Sequence, residues 1–393
     1  LTLTGRHAIL NLPKGTEHFM SDIHGEYEAF YHIMNNAAGV IKEKVDMIFA
    51  ERMTPRERQE ICTLVYYPTE KIKLFKKQNA VTPYWYKINL KNLTELAKFL
   101  SSKYTRSKVR KALPSEFSYI IDELLHAQQD EDNNQYVYHE KILDTIIDFD
   151  CADAFIDALS TLIKRLAVDH LHIVGDIYDR GPSADKIMDL LITHHSVDIE
   201  WGNHDILWMG AACGNEACIA NVLRNNLKYD NIEILENTYA ISLRSLTLFA
   251  EHTYPDIRPM DAALKAISVI LFKLEGQIIM RHPEYDMVDR LLLDKIDKER
   301  GAVRIGSQEY ELNDCYFPTI RTNDAYALSA EEQHVIDDLR AAFVNSHMLR
   351  KHVRILNENG STYMCYNRNN MFHGCIPMTE AAEFASMRHN GTE

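Results

Sequence analysis

Two segments of this 393-residue sequence decide the fold: LHIVGDIYDRG at 171–181 and VDIEWGNHD at 197–205. Each begins with apolar residues typical of a buried strand and continues through a glycine into Asp, Asn, His or Arg side chains. One helix-length segment separates them. Strands joined in this way end at the same edge of a sheet, where open α/β sheets bind ligands. The two segments therefore predict an α/β fold with a polar site at the carboxyl edge of its sheet.

A third cluster, SDIHG at 21–25, follows a short strand of its own and adds another Asp and His. Asp22 and Asp176 are 154 positions apart, whereas Asp176 and Asn203 are only 27 positions apart. A strand–helix–strand unit takes about 30 residues, so only the second interval fits a single unit. We therefore expect a helical subdomain to be inserted between the first two clusters.

Apolar residues at three- and four-residue spacing predict the secondary structure outside the clusters. The acidic segment 128–135 is expected to be an exposed loop. Helices are predicted over 45–64, 90–101, 107–125, 142–166 (one or two helices), 207–228, 256–300 (with 291–296 as the strongest run) and 330–350, and short strands over 301–320 and 361–366. The chain then divides into a core in three parts, 1–40, 165–245 and 360–393, a helical insertion at 41–164, and a second, mostly helical insertion at 246–359.

Composition limits the class of protein and its partners. Hydrophobic residues make up 46% and charged residues 25%, as in ordinary soluble globular proteins. The formal net charge of −14 disfavours nucleic acid or an anionic membrane as a partner, and no apolar run reaches the roughly 18 residues of a membrane span. Seven scattered cysteines without a C-x-x-C pair predict free thiols in a cytosolic protein. The oligomeric state stays open, a homo-oligomer included.

The side chains of the three clusters suit a pair of divalent metal ions. Two such ions about 3.5–4 Å apart acidify a bridging water and neutralise phosphoryl oxygens. Asp176 is the candidate ligand shared by both ions, Asp22 and His24 would complete the first set, and Asn203 and His373 would bind the second ion. Mixed Asp, Asn and His ligands favour Mn, Fe, Zn or Mg over a soft metal. The clusters therefore predict the site of a two-metal phosphatase.

Three further side chains would act on the phosphate. His204, adjacent to a candidate ligand, is the predicted general acid for the leaving oxygen. Asp179 would orient it and favour its charged form. Arg180 is predicted to bind substrate, because its planar fork can contact two phosphate oxygens in a way that lysine cannot reproduce.

Each cluster also has a plainer interpretation. An Asp-x-His pair is common by chance, an Asn-His-Asp after a strand is often a turn or a helix cap, and a loop with an internal Asp–Arg pair could resemble GDIYDRG. Three such clusters in this order, each between a strand and a helix, favour the catalytic interpretation. A basic run at 103–111 could hold a second phosphate of the substrate or form a solvated helix face, and both interpretations stay open.

The motifs SDIHG (21–25), GDIYDRG (175–181) and GNHD (202–205) resemble the signature of the calcineurin-like metallophosphatases, and FHG at 372–374 resembles the later His-Gly element of that superfamily. Further segments resemble the class III fructose-1,6-bisphosphatases of Firmicutes: GTEHF (15–19), GEYEAF (25–30), SSKYTRSK (101–108), WGNHD (201–205) and HGCIP (373–377). The resemblance runs from about residue 8 to 378 and includes the helical insertion.

This resemblance implies hydrolysis of fructose 1,6-bisphosphate to fructose 6-phosphate and phosphate, a step of gluconeogenesis. It also implies a divalent metal, typically manganese, a cytoplasmic location and a sugar bisphosphate as the substrate. The implied fold is a calcineurin-like metallophosphatase β-sandwich flanked by helices, in place of the single sheet that the strand motifs suggest.

The sequence departs from that family in one respect. Family members are longer and carry a further Gly-His-Thr-Pro element, whose histidine would bind the second metal. The resemblance therefore implies a chain truncated at the C-terminus, with an incomplete core and a second metal site that is one ligand short. Two alternatives remain: a phosphoprotein or dinucleoside polyphosphate phosphatase of the same superfamily, and an inactive fragment or binding module.

Overall fold

The structure is a computed structural model that describes residues 15–126 and 133–386. These residues form two compact units. Unit 1 contains residues 15–20, 28–126, 133–172 and 194–197, and unit 2 contains residues 21–27, 173–193 and 198–386. The five domain segments inferred from the sequence are a finer division and stay a prediction.

Short strands form three sheets in the described residues. The strands are β1 Glu17–Ser21, β2 His170–Val174, β3 Val197–Glu200, β4 Ile296–Asp297, β5 Ala302–Ile305, β6 Gln308–Glu311, β7 Gly360–Ser361, β8 Met364–Tyr366 and β9 Asn369–Met371. The largest sheet has the order β1-β2-β3-β7, with β3 and β7 parallel, and the smaller sheets β4-β5-β6 and β8-β9 are antiparallel. The strands predicted before the two deciding clusters are confirmed as β2 and β3.

Helices make up most of the described chain. They are α1 Tyr27–Asn36, α2 Val40–Phe49, α3 Pro55–Tyr66, α4 Pro68–Lys77, α5 Pro83–Ser101, α6 Arg106–Ala112, α7 Ser118–His126, α8 Asn133–Asp148, α9 Ala152–Ala167, α10 Ala184–Thr193, α11 Asn203–Ala212, α12 Glu216–Lys228, α13 Arg244–Thr253, α14 Pro259–Arg281, α15 Ala330–Asn345 and α16 His347–Asn359. Together with the parallel and antiparallel sheets, they confirm the predicted α/β class.

The helices between the first two clusters form the core of unit 1. Apolar side chains from α2 to α9 make one buried cluster. Helix α9 contributes Phe155, Leu159, Leu162 and Leu166, which are spaced three or four residues apart and so lie on one face. This apolar face explains why the sequence pattern identified the helices of this interval correctly.

Three predicted helices are each divided in the structure by a capping residue. The helix predicted over 207–228 is α11 and α12, because the side chain of Asn215 accepts a hydrogen bond from the N–H of Cys218. The helix predicted over 107–125 is also divided, into α6 and α7. The helix predicted over 45–64 is α2 and α3, because the hydroxyl of Thr54 accepts a hydrogen bond from the N–H of Glu57 while the Glu57 carboxylate accepts one from the Thr54 N–H. The helix predicted over 330–350 ends with α15, and the hydroxyl of Ser346 then caps α16.

The prediction of a helix at 291–296 is wrong. Helix α14 ends at Arg281, and Pro283, which lacks a backbone N–H, follows two residues later. Between α14 and β4 the chain forms only 3₁₀ turns, at Pro283–Tyr285, Val288–Arg290 and Leu293–Lys295. The apolar residues of this run instead pack against the small cluster around Val269 and Tyr326. The strands predicted over 301–320 are confirmed as β5 and β6.

Three further observations concern the chain as a whole. The acidic segment 128–135 lies mostly outside the described residues, and α8 begins at Asn133. All seven cysteines are free. Among the described helices, none has the length and apolar character needed to span a bilayer.

A buried ion pair ties α14 to α15 within unit 2. Lys273, which is fully buried, donates hydrogen bonds to the carboxylate of Glu332 at 2.7 Å and to the carbonyl of Thr319 at 2.8 Å. The same carboxylate accepts from the N–H of Ser329 at 2.7 Å and so also caps α15. Burial lowers the pKa of Lys273, and the Glu332 carboxylate opposes that shift. Each charge is therefore stabilised only while its partner is present.

We expect Lys273→Met to destabilise the protein by about 3–5 kcal/mol, because it leaves the Glu332 carboxylate buried without a cation. The free energy of unfolding in urea measures this effect. Arg258→Met is the matched control, since Arg258 pairs with Asp261 on an exposed surface, where an ion pair contributes about 0–1 kcal/mol. Equal destabilisation by the two changes would show that the buried pair has no special weight.

Candidate functional site

The three sequence clusters meet in unit 2. One oxygen or nitrogen atom from each of Asp22, His24 and Asp176 lies within 4.8 Å of the others. A second group with the same spacing contains Asp176, Asp179 and His204. Asp176 belongs to both groups and is buried. The residue predicted to be shared by two ions is therefore the one at the centre of the observed cluster.

His373 also joins the site, 197 positions after Asp176 in the sequence. Its Nε2 lies 3.2 Å from Oδ2 of Asp176. Its Nδ1 is 3.0 Å from the carbonyl oxygen of Val174, which can only accept, so Nδ1 carries the proton. Nε2 therefore faces Asp176, and the neutral tautomer with its proton on Nδ1 is the one that a metal-binding imidazole requires. At Gly175, between these residues, a Cβ would overlap the His373 ring.

Asp179 is a buried carboxylate that contacts several polar groups. Its Oδ1 lies 3.4 Å from Nε2 of His204 and accepts a hydrogen bond from the side-chain amide of Asn225 at 3.1 Å. Its Oδ2 accepts from Nε of Arg180 at 3.0 Å and lies 3.7 Å from Nε2 of His24. Both oxygens are thus engaged, and the orientation of the carboxylate is set by partners on three different segments.

Four of these residues adopt left-handed backbone conformations. The φ angles are 52° at Asp22, 49° at His24, 55° at Asp176 and 52° at Arg180. Non-glycine residues rarely adopt this conformation, and where they do the surrounding structure must hold them. Here the N–H of His24 donates to the carbonyl of Asp176 at 2.9 Å, and the N–H of Gly181 donates to the carbonyl of His24 at 2.9 Å. The two loops therefore hold each other in the conformation that presents their side chains.

Asp205 fixes the backbone of the loop after β2, residues 175–181, which we call the metal loop. Its carboxylate is fully buried and accepts hydrogen bonds from the backbone N–H groups of Asp176, Ile177, Tyr178 and Gly202, at 2.8–3.2 Å. Burial raises the pKa of Asp205 to about 6, against the opposing effect of the N–H donors. The group is therefore still a carboxylate at neutral pH, and it joins the loop after β2 to the loop after β3.

Gly202 allows the two loops to approach closely. Its φ of −79° and ψ of 168° are open to any residue, so backbone conformation does not demand glycine here. A Cβ at this position would instead overlap the side chain and backbone nitrogen of Asp176. The glycine of the GNHD motif is thus explained by contact with the metal loop.

The remaining predicted site residues lie at the edge of the cluster. Arg180 is bound to Asp179 but its side chain is 61% exposed. Asn203 is the first residue of α11 and is exposed, and none of the described residues hydrogen-bonds its side-chain amide. The structure brings together Asp22, His24, Asp176, Asp179, His204 and His373, with Arg180 beside them.

Sequence reasoning missed three residues that support the site. Asp205 lies within a recognised motif but was given no role. Asn225 donates to Asp179, and the side-chain amide of Asn231 donates to the carbonyl of Arg180. Asparagine is a poor helix former, so an Asn inside the predicted helix over 207–228 is a signal that its side chain has a role outside the helix. Asn231 follows the helix and offered no comparable signal.

The side chains present fit a divalent metal ion. Carboxylate oxygens and imidazole nitrogens suit hard or borderline divalent ions, and no cysteine belongs to the two groups around Asp176. The tautomer of His373, fixed by Val174, adds an observation that is independent of the sequence motifs. Fold and side chains together define an α/β protein with a candidate divalent-metal site at the end of its central strands.

Comparison with known proteins identifies the family. The sequence profile described as Firmicute fructose-1,6-bisphosphatase matches residues 2–393. The chain is 50% identical to fructose-1,6-bisphosphatase class 3 1 of Clostridium beijerinckii, over 97% of this chain and 60% of that relative. It is 48% identical to fructose-1,6-bisphosphatase class 3 of Listeria innocua, over 98% of this chain and 62% of the relative. The chain belongs to the Firmicute fructose-1,6-bisphosphatase family, as its motifs predicted.

The chain spans about 60% of the length of the curated relatives it matches. No solved structure matches it.

We expect Asp205→Asn to destabilise the protein by on the order of 2–5 kcal/mol and to weaken binding of a divalent metal ion. The new amide group would donate toward backbone N–H groups and leave at least one buried donor without an acceptor. Urea unfolding and calorimetric titration with Mn²⁺ measure the two effects. Asp261→Asn makes the same chemical change at an exposed position and serves as the control. An Asp205→Asn protein that matches the control in both measurements would contradict the role of this carboxylate.

Proposed function

We propose that this chain carries out the metal-dependent hydrolysis of fructose 1,6-bisphosphate to fructose 6-phosphate and phosphate, a step of gluconeogenesis. The observation that carries the proposal is the meeting of two carboxylate–imidazole groups on Asp176. This site occurs in a chain about 50% identical to proteins named fructose-1,6-bisphosphatase class 3. Hydrolysis of a phosphate monoester by an activated water is the reaction that such a site suits best.

We assign two divalent ions to the site, most naturally manganese. Asp22, His24 and Asp176 would hold the first ion, and Asp176, Asn203 and His373 the second. Bound there, the ions would acidify a water molecule and neutralise charge on the phosphoryl oxygens. The 3.2 Å separation of His373 Nε2 from Asp176 supports a shared position for those two ligands.

The proton of the leaving group is assigned to His204. In its charged form the imidazole would donate a proton to the sugar oxygen, which otherwise would leave as an alkoxide. The 3.4 Å distance from Nε2 to the Asp179 carboxylate supports this role, because the carboxylate restricts the orientation of the imidazole ring. Asn225 in turn donates to the same Asp179 oxygen and limits its rotation.

Arg180 is assigned to the reacting phosphate. Its Nε donates to Asp179, and among the described residues neither terminal nitrogen has a hydrogen-bond partner, so both could form a bidentate contact with phosphate. The side chain is exposed, so a phosphate group can reach it from solvent. The cost of fixing the guanidinium is lowered, because Asp179 already restrains it.

Two finer properties complete the proposal. We propose that the four-stranded sheet is one layer of the calcineurin-like β-sandwich, with the site at the ends of β1, β2 and β3. We also assign the activity to the cytoplasm, in keeping with a metabolic substrate that is a charged sugar phosphate. An experimental structure in which no second sheet packs on this one would remove the first of these assignments.

Phosphate release in the presence of Mn²⁺ tests the function directly. We expect fructose 1,6-bisphosphate to be hydrolysed faster than a phosphopeptide or a dinucleoside tetraphosphate, and Asp176→Ala to abolish the activity. Release confined to either alternative substrate would point to another phosphatase of the superfamily. Manganese binding without release from any of the three would favour a binding module and overturn the proposal.

We expect His204→Ala to lower kcat for fructose 1,6-bisphosphate by about 10²–10⁴-fold while metal content is retained. The loss should be much smaller for an aryl phosphate with an acidic phenol, because that leaving group needs little protonation. Steady-state kinetics on both substrates and metal analysis of the variant measure these effects. Loss of metal from the variant, or an equal loss of kcat on both substrates, would show that His204 is not the acid.

A further inference from the structure

We propose that Lys228 at the end of α12 binds the second phosphate of the substrate, the one that is not cleaved, and selects sugar bisphosphates over monophosphates. The ring of Tyr229 lies near both this lysine and Arg180. The inference rests on the proposed function and names the residues that would choose its substrate class.

The end of α12 is attached to the metal loop by side-chain amides. Asn225, in the last turn, donates to the carboxylate of Asp179, and Asn231, just after the helix, donates to the carbonyl of Arg180. The N–H of Asn231 also donates to the carbonyl of Asn226 at 2.8 Å, which closes the turn after the helix. Residues 225–231 therefore have a fixed position relative to the residues assigned to the reacting phosphate.

Two cations lie around a single exposed ring at this point. The guanidinium carbon of Arg180 is 6.0 Å from the ring centroid of Tyr229, and the ammonium nitrogen of Lys228 is 5.3 Å from it. Attraction to the ring offsets part of the repulsion between the two charges. All three side chains are exposed, Tyr229 to 38%. The pair of cations is thus accessible from solvent beside the site.

The two cations differ in how their charge is balanced. Arg180 shares the carboxylate of Asp179, whereas Lys228 forms no ion pair with any of the described residues. An anion with two phosphate groups separated by a sugar would place one group at Arg180 and the other at Lys228. A lysine suits this second position, since its ammonium is a point charge on a flexible stem and does not require one fixed phosphate orientation.

The basic run at 103–111 is a weaker candidate for the same role. Lys108 is paired with Asp169, Arg110 is paired with Asp122 at 3.1 Å, and Lys103 donates to the hydroxyl of Thr16 at 3.1 Å. These contacts lie within unit 1 and already balance or engage three of the five cations of the run. They favour the interpretation of the run as a structural, solvated surface.

Equilibrium binding tests the inference without turnover. The parent protein is the manganese-loaded His204→Gln variant, in which the assigned acid is removed, and the ligands are fructose 1,6-bisphosphate and fructose 6-phosphate. Calorimetric titration gives both dissociation constants. We expect Lys228→Gln to weaken binding of the bisphosphate about tenfold or more, and binding of the monophosphate by less than about twofold. Lys228→Arg, which keeps the charge, should restore most of the preference.

Arg224→Gln is the matched control. Arg224 lies one turn earlier on α12, and its guanidinium contacts the ring of Phe272, 6.0 Å away, so the change removes one positive charge from the same helix. It should leave the ratio of the two dissociation constants unchanged. An unchanged ratio in Lys228→Gln, or an equal loss for both ligands, would overturn the inference.

The proposed function is judged separately by phosphate release from the unsubstituted protein. Release from fructose 1,6-bisphosphate together with an unchanged ratio in Lys228→Gln would refute the subsite alone. No release, together with no binding of the bisphosphate to the parent, would refute both.

Discussion

The carboxylate of Asp205 is the interaction on which the site depends. It is buried, it bears a negative charge at neutral pH, and its hydrogen bonds are all made to backbone N–H groups of two separate loops. A charged acceptor of this kind forms stronger hydrogen bonds than a neutral one, and its lone pairs are all used by these donors. Asp205 and His204 are neighbouring residues of α11. The hydrogen bonds of Asp205 therefore tie the position of that imidazole to the loop that carries Asp176 and Asp179.

Around this anchor, each polar side chain has its orientation set by a neighbour. Val174 fixes the tautomer of His373, and Asn225 and Arg180 fix the carboxylate of Asp179. The left-handed residues are held by hydrogen bonds between the loops after β1 and β2. Strained backbone and restrained side chains in one place are typical of sites whose geometry matters more than their stability.

Much of this arrangement was readable in the sequence because its parts are local. The segments 171–181 and 197–205 each contain a strand, a close-approach glycine and the polar residues that follow, so the pattern predicts both the fold class and the residues that meet. Asn225, Asn231 and Lys228 could not be found in this way. Their place beside Asp179 and Arg180 depends on how α12 packs back toward the loops, which no short motif records. The failed helix at 291–296 has a related cause, since its apolar residues are buried by tertiary contacts of 3₁₀ turns and short strands.

The distance along the chain between the site residues also bears on folding. Asp22 and His373 are 351 positions apart, and both contribute to a cluster centred on Asp176. Contacts of such high sequence separation carry a large loop-closure entropy and form late, after the local helices. These side chains can therefore be brought together only in molecules that have finished folding. Tight binding of a metal ion would thus distinguish native molecules from partly folded ones, in which these side chains are not yet assembled.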